Sequence, residues 1–299
     1  MNARAKAIYE NCRVLDITGK LLFRTSQKRL DWYLVRSLAS RVDDRTIRLK
    51  FANKGVGRQN EPFYLQDMRN ECVICGTLND LTMHHVVPHQ YRQYMEEKIK
   101  SRSSHDLLPV CMVCHDTYER HAVKFKKHLS ECFDAPLGGR GWIERKDIGR
   151  AKLAASALLG KGAANIPESR RRALHDIAHG VAESRLDLFS TGAKKTISAG
   201  GADASVLREL CEMEVRVKAP GFQSHGEMVV GAVDAGSAVE GMCRNCNGLV
   251  RGGLMAFVAA WRKHFVEHAR PTRLPEHWDT DYPIHDGDQA EECSGGSSK

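Results

Sequence analysis

The chain has 299 residues, 42% of them hydrophobic, and 45 Lys and Arg against 37 Asp and Glu give it a net charge of +8. At roughly 150 residues per domain, that length allows about two domains. No run of about eighteen apolar residues occurs and the first residues hold no apolar core, so neither a membrane span nor a secretory leader is expected.

Ten cysteines are too few for a disulfide scaffold in a chain of this size. An intracellular, reducing compartment is therefore expected, with mitochondrion and nucleus both compatible. The charge is uneven: residues 1–60 hold fourteen Lys and Arg against five Asp and Glu. Such a front half suits a polyanionic partner, although charge alone is equally consistent with a solvated basic surface.

In chain order, Arg13 to Phe23 read as a hairpin around Asp16-Ile-Thr-Gly19. Thr25 or Ser26 then caps a helix whose apolar stripe is Leu30, Leu34, Val35, Leu38 and Val42. Thr46 to Phe51 alternates apolar and basic side chains, as a half-buried strand with a cationic face does. This strand–strand–helix–strand unit is expected over residues 1–60. Lys28, Arg29, Arg48, Lys50 and, further on, Arg92 are the candidate phosphate-backbone contacts.

Residues 61–135 carry the chemistry. Cys72-Val-Ile-Cys75 and Cys111-Met-Val-Cys114 are two Cys-x-x-Cys knuckles, the spacing with which four thiolates close a tetrahedral structural zinc site. Between them, Leu81 to Val87 reads as a strand ended by Pro88. Successive strand residues face opposite ways, so His84 and His85 are expected to divide their work, one on a metal and one on a water molecule. His115 follows the last knuckle directly, and Asp106 precedes Leu107-Leu-Pro-Val110. These groups could meet around one divalent cation.

The order Cys-x-x-Cys, His84-His-Val-Val-Pro88, Asp106-Leu-Leu-Pro-Val-Cys-x-x-Cys-His115 resembles the HNH endonuclease pattern with its ββα-metal core. The resemblance implies His84 and His115 as ligands of a catalytic Mg²⁺ or Mn²⁺ and His85 as general base. Asp106 stands where the family has Asn, in reach of the same cation. Further stretches are similar to the region after the nuclease domain in the exonuclease 3′–5′ domain-containing protein 2 family. They are Lys28 to Leu34, Val87 to Arg92, Ser104 to Leu108, Trp261 to Phe265 and Leu274 to Trp278. That similarity runs from about residue 8 to 280 and includes no carboxylate-rich exonuclease motif set.

Residues 136–278 are expected to be mainly helical, with helices at 148–159, 168–181, 205–217 and 254–268. Glycine-rich linkers are expected at 160–163, 191–201 and 231–241, and an acidic, disordered Ser/Gly tail over 279–299. Cys243-Arg-Asn-Cys246 could form a second zinc site with His264 and His268, although a lone pair is more often incidental. Cys12, Cys132, Cys211 and Cys293 read as ordinary thiols.

The fold class expected is therefore α+β: a basic module, a zinc-pinned HNH-like core and a helical C-terminal region. Two functions follow. One is a divalent-metal-dependent nuclease acting on DNA or RNA, and the other a catalytically inactive zinc module. The second would bind nucleic acid or join a ribonucleoprotein such as an organellar ribosome, and a separate exonuclease is a conceivable partner.

Overall fold

The computed structural model describes residues 7–52, 61–96, 103–236 and 244–282. It is a mixed α+β structure that divides into two compact units. One comprises the chain up to Gly138 and again from Ser224 onward, and the other is Gly139–Gln223. The helical region expected as one piece over 136–278 is thus split, its last third returning to the first unit.

The first unit opens with β1 (Cys12–Leu15) and β2 (Leu21–Thr25), an antiparallel hairpin. Its turn is fixed by Asp16, whose Oδ1 accepts from the backbone N–H of Thr18 and Lys20 at 2.8 and 2.9 Å. Helix α1 (Gln27–Val35) follows, then β3 (Ala39–Asp43) and β4 (Thr46–Leu49). The strand order is β2-β1-β4-β3, with β1 and β4 parallel. Leu30 of α1 packs on Val14 and Ile47 in a small core of its own.

This module departs from the helix expected to continue through Val42. Ser37 turns the chain out of the helix at φ 55°, and residues 39–43 pair with β4. Val35 and Val42, read as part of a buried stripe, are exposed. Tertiary pairing overrides the apparent helical period here.

The central segment runs α2 (Pro62–Leu65), β5 (Leu81–His85), α3 (His89–Arg92), β6 (Leu107–Cys111) and α4 (Met112–Cys132). Strands β5 and β6 pair antiparallel, His84 opposite Leu108 and Leu81 opposite Cys111, and α4 leaves directly from β6. Pro109 sits inside β6, which the two-stranded sheet permits because, among the described residues, no strand pairs with that strand's outer edge. Its carbonyl accepts from Val73 N–H at 2.9 Å, docking the first cysteine knuckle on the strand.

The second unit pairs β7 (Arg140–Glu144) with β8 (Arg216–Gln223) and packs α5 (Lys146–Leu159), α6 (Glu168–Ser184), α7 (Thr191–Ser198) and α8 (Ala204–Glu212). Its seam is small-residue rich, with Ala151, Ala155, Ala178 and Ala182 fully buried beside Val206 and Leu210. Two expectations are corrected here. Residues 191–198 form a helix capped by Ser190 rather than a linker, and the helix expected to reach 217 ends at Glu212, leaving 216–223 as strand.

The chain re-enters the first unit through α9 (His225–Asp234) and α10 (Arg244–Ala269). Gly226 lies so close to α3 that an added Cβ would sit 1.8 Å from the Gln90 carbonyl oxygen. Gly253 breaks α10 with φ 61° and ψ −159°, a conformation open to glycine and hostile to a side chain. Trp261, Phe257 and Phe265, all on the stretch after that break, fill the core against Tyr91 and Tyr118.

Among the described residues, no helix is long and apolar enough to cross a membrane. The expected tail boundary at residue 279 falls short of the packed structure. Tyr282 stacks on His105 and donates its hydroxyl to Glu61 at 2.6 Å. Residues 283–299 lie outside the described residues.

Candidate metal centres

Two knuckles meet where β6 becomes α4. Cys72 N–H bonds to Thr77 O and Gly76 N–H to Cys72 O, both at 2.8 Å, forming the turn that presents Cys72 and Cys75. Cys111 ends β6, and Cys114 lies in the first turn of α4. All four sulfurs fall within 4.8 Å of one another, and Cys75 Sγ is 3.8 Å from Cys111 Sγ. Tetrahedral thiolates at the usual zinc–sulfur length are separated by about 3.8 Å, so the donor set fits one such ion. Burial pushes the thiols of Cys111 and Cys114 up, so cation binding there must displace protons.

A second group forms across the same hairpin and helix. His84 Nδ1 lies 3.1 Å from His115 Nε2, and His115 Nε2 lies 3.8 Å from Glu119 Oε1. Thr82 sets the tautomer. Its hydroxyl donates to Val110 O at 2.8 Å, so toward His115 Nδ1, at 2.9 Å, its oxygen can only accept. His115 therefore carries its proton on Nδ1 and turns the Nε2 lone pair toward His84 and Glu119. A carbonyl-anchored partner behind an imidazole is the usual support for a ligating histidine.

The surroundings keep these groups in ligand form. His84 is 3% exposed, stacked on Phe265 and edge-on to Tyr118. Burial, then the neighbouring His115, lowers its pKa to about 3. Its Nε2 is buried and has no hydrogen-bond partner among the described residues. Lys126 Nζ lies 3.3 Å from Glu119 Oε2 and favours the charged carboxylate. Two imidazole nitrogens and a carboxylate oxygen form a set that suits a divalent cation.

The structure brings His84 and His115 together but sets Asp106 elsewhere. Its carboxylate receives a bidentate pair from Arg262, Nε to Oδ1 at 2.7 Å and Nη2 to Oδ2 at 3.0 Å, with both side chains buried. Burial alone would raise its pKa, but the neighbouring His105 and the bonds from Arg262 hold it below the usual carboxylate range. Asp106 thus fastens the turn before β6 to α10, and Glu119 takes the place expected for it. Glu119 carried a signal that went unread, since it lies one helical turn after His115.

His85 points to the other side of β5 and meets the Arg92 guanidinium at its Nδ1. Burial, then Arg92, lowers its pKa to about 4. Arg92 is accordingly not a free surface cation. Lys28, Arg29, Arg48 and Lys50 are exposed on the first module.

Comparison with known proteins places this geometry in a wider setting. The chain is 26% identical over 286 residues, 94% of its length, to the human protein named Exonuclease 3′-5′ domain-containing protein 2. It is 27% identical over 287 residues to the Drosophila melanogaster protein of the same name. Over 143 residues it is 34% identical to Protein RRP6-like 3 of Arabidopsis thaliana, which is 47% of this chain and 16% of that one. The chain spans 41% of the human relative and 44% of the fly relative. No family model matches it, and no solved structure does.

Proposed function

We propose that this chain is a divalent-metal-dependent nuclease of the HNH type, hydrolysing phosphodiester bonds in DNA or RNA. The observation that carries the reading is the convergence of His84 Nδ1, His115 Nε2 and a Glu119 carboxylate oxygen at the junction of β5, β6 and α4. The names of its relatives, exonuclease-domain and RRP6-like proteins, support nucleic-acid chemistry. Zinc on Cys72, Cys75, Cys111 and Cys114 would hold the frame.

A Mg²⁺ or Mn²⁺ on His84, His115 and Glu119 would stabilise charge on the scissile phosphate and the leaving oxygen. His85 is the proton acceptor for the attacking water. Arg92 is purely a donor, so the contact at His85 Nδ1 leaves that nitrogen as the lone pair and places the ring proton on Nε2. A phosphate arriving at the site competes for the Arg92 guanidinium and so frees His85 Nδ1 to take a proton. Lys28, Arg29, Arg48 and Lys50 supply exposed charge for backbone contacts without base readout.

One observation favours the second reading, a catalytically inactive zinc module that binds nucleic acid or joins a ribonucleoprotein. Without substrate, Arg92 occupies the base, and Asp106, at the family's Asn position, is tied to Arg262. Plasmid and single-stranded substrates incubated with Mg²⁺ or Mn²⁺ separate the two. Cleavage lost in His85→Ala supports the nuclease, whereas equal cleavage by both proteins, or none by either, refutes it.

A further inference from the structure

A third cluster lies at the far end of α4 from His115. His128 and Cys132 are four residues apart and share one helix face, and Cys132 Sγ is 3.6 Å from His128 Nε2. Cys246, in the first turn of α10 and 1% exposed, places its Sγ 3.5 Å from the same nitrogen. A tetrahedral zinc with ordinary Zn–N and Zn–S lengths separates nitrogen and sulfur ligands by about 3.5 Å. Both distances to the imidazole match that value.

We propose that a second structural zinc site has His128, Cys132 and Cys246 as ligands. Cys246 closes the sequence Cys-Arg-Asn-Cys, the spacing of a zinc knuckle; Cys243, which opens it, lies outside the described residues. Sequence reading paired this knuckle with His264 and His268. The structure engages His264 Nδ1 with the Tyr118 hydroxyl at 3.0 Å and stacks His268 on His121. The histidine that faces Cys246 is His128, and Cys132 is no ordinary thiol.

The site has a clear mechanical use. Its ligands come from residues 128 and 132 and from residue 246, either side of the segment that builds the Gly139–Gln223 unit. One ion would therefore close a loop of more than a hundred residues and clamp α4 to α10. Those helices carry His115 and Glu119 on one side and Phe265, which stacks on His84, on the other. Thiolate-rich donors select zinc over Mg²⁺, so this site and the His84–His115–Glu119 group would take different ions.

The test is zinc content of the purified full chain after dialysis against a weak chelator. Two equivalents are expected, one lost in Cys246→Ser and in His128→Gln, the other in Cys111→Ser. Should the buried Cys246 substitution prevent folding, half-buried His128 carries the test. In the wild type, X-ray absorption at the zinc edge must then show imidazole nitrogen beside sulfur. A single equivalent lost entirely in Cys111→Ser overturns the proposal, as does full retention in His128→Gln. None of these outcomes depends on whether the chain cleaves nucleic acid.

Discussion

Replacing Arg262 with Met isolates the contact that most separates the structure from the sequence expectation. The guanidinium makes two short bonds to a carboxylate buried with it, and its Nη1 also donates to Tyr282 O at 2.7 Å. Removing one partner of a buried pair leaves an uncompensated charge and costs about 3–5 kcal/mol. For a unit of this size the melting temperature should fall by about 6–20 °C. The cost must also depend on pH. In the wild type, Asp106 is held below its ordinary range, so its stabilisation is present above the unfolded pKa of about 3.9 and is lost as pH falls through the folded value. In Arg262→Met, burial outweighs what His105 alone supplies and raises the folded pKa, so that protein loses stability as pH climbs past about 4. The gap between the two proteins should be widest near neutral pH and should close in acid. Urea denaturation followed by tryptophan fluorescence measures it. Equal stability at pH 7, or a gap unchanged between pH 7 and 3, would refute the buried pair. The double variant Asp106→Leu/Arg262→Met should recover most of the loss.

Thr82→Val removes the acceptor that fixes the His115 tautomer, and should weaken Mn²⁺ binding by about 10–100-fold in calorimetric titration while the zinc proposed on the four cysteines is retained. Unchanged Mn²⁺ affinity would count against that role. In chelator-treated protein, His84 and His85 stay neutral down to about 3 and 4, whereas unfolded histidines protonate below about 6.5. Stability should therefore be full above about pH 6.5 and fall with acid, and His84→Phe should flatten that fall; an unaltered acid slope in the variant speaks against it. Gly226→Ala forces a methyl to within 1.8 Å of a backbone carbonyl, so a loss of at least about 3 kcal/mol is expected by thermal unfolding. A wild-type melting curve would show that α3 and α9 are not packed so tightly.

What the sequence made legible was local. Each Cys-x-x-Cys knuckle declares itself within four residues, and the strand ahead of Pro88 follows from Leu81-Thr-Met-His-His85. The Asp16 hairpin carries its own turn chemistry. Asp106 was misplaced because its partner, Arg262, lies 156 residues away and nothing near Asp106 marks it as a structural carboxylate. Cys132 and His128 were passed over for the same reason, since Cys246 reaches them only after the chain has built a second unit. Leu38 and Val42 kept a helical spacing by coincidence, and pairing of β3 with β4 decided the matter. Strand β8 was hidden by Val215 and Val217, which continue the apolar pattern of the helix before it.

Glu119 offers the most direct measurement of the account, because the structure puts it where the sequence put Asp106. Divalent-dependent cleavage of plasmid should be compared between the wild-type protein and Glu119→Gln, both shown to hold equal metal on the four cysteines. The account predicts wild-type cleavage with Mg²⁺ or Mn²⁺ and a loss of at least about 100-fold in Glu119→Gln, as expected when a charged group acting on the transition state is removed. Equal cleavage by the two proteins, or none by the wild type, would contradict it.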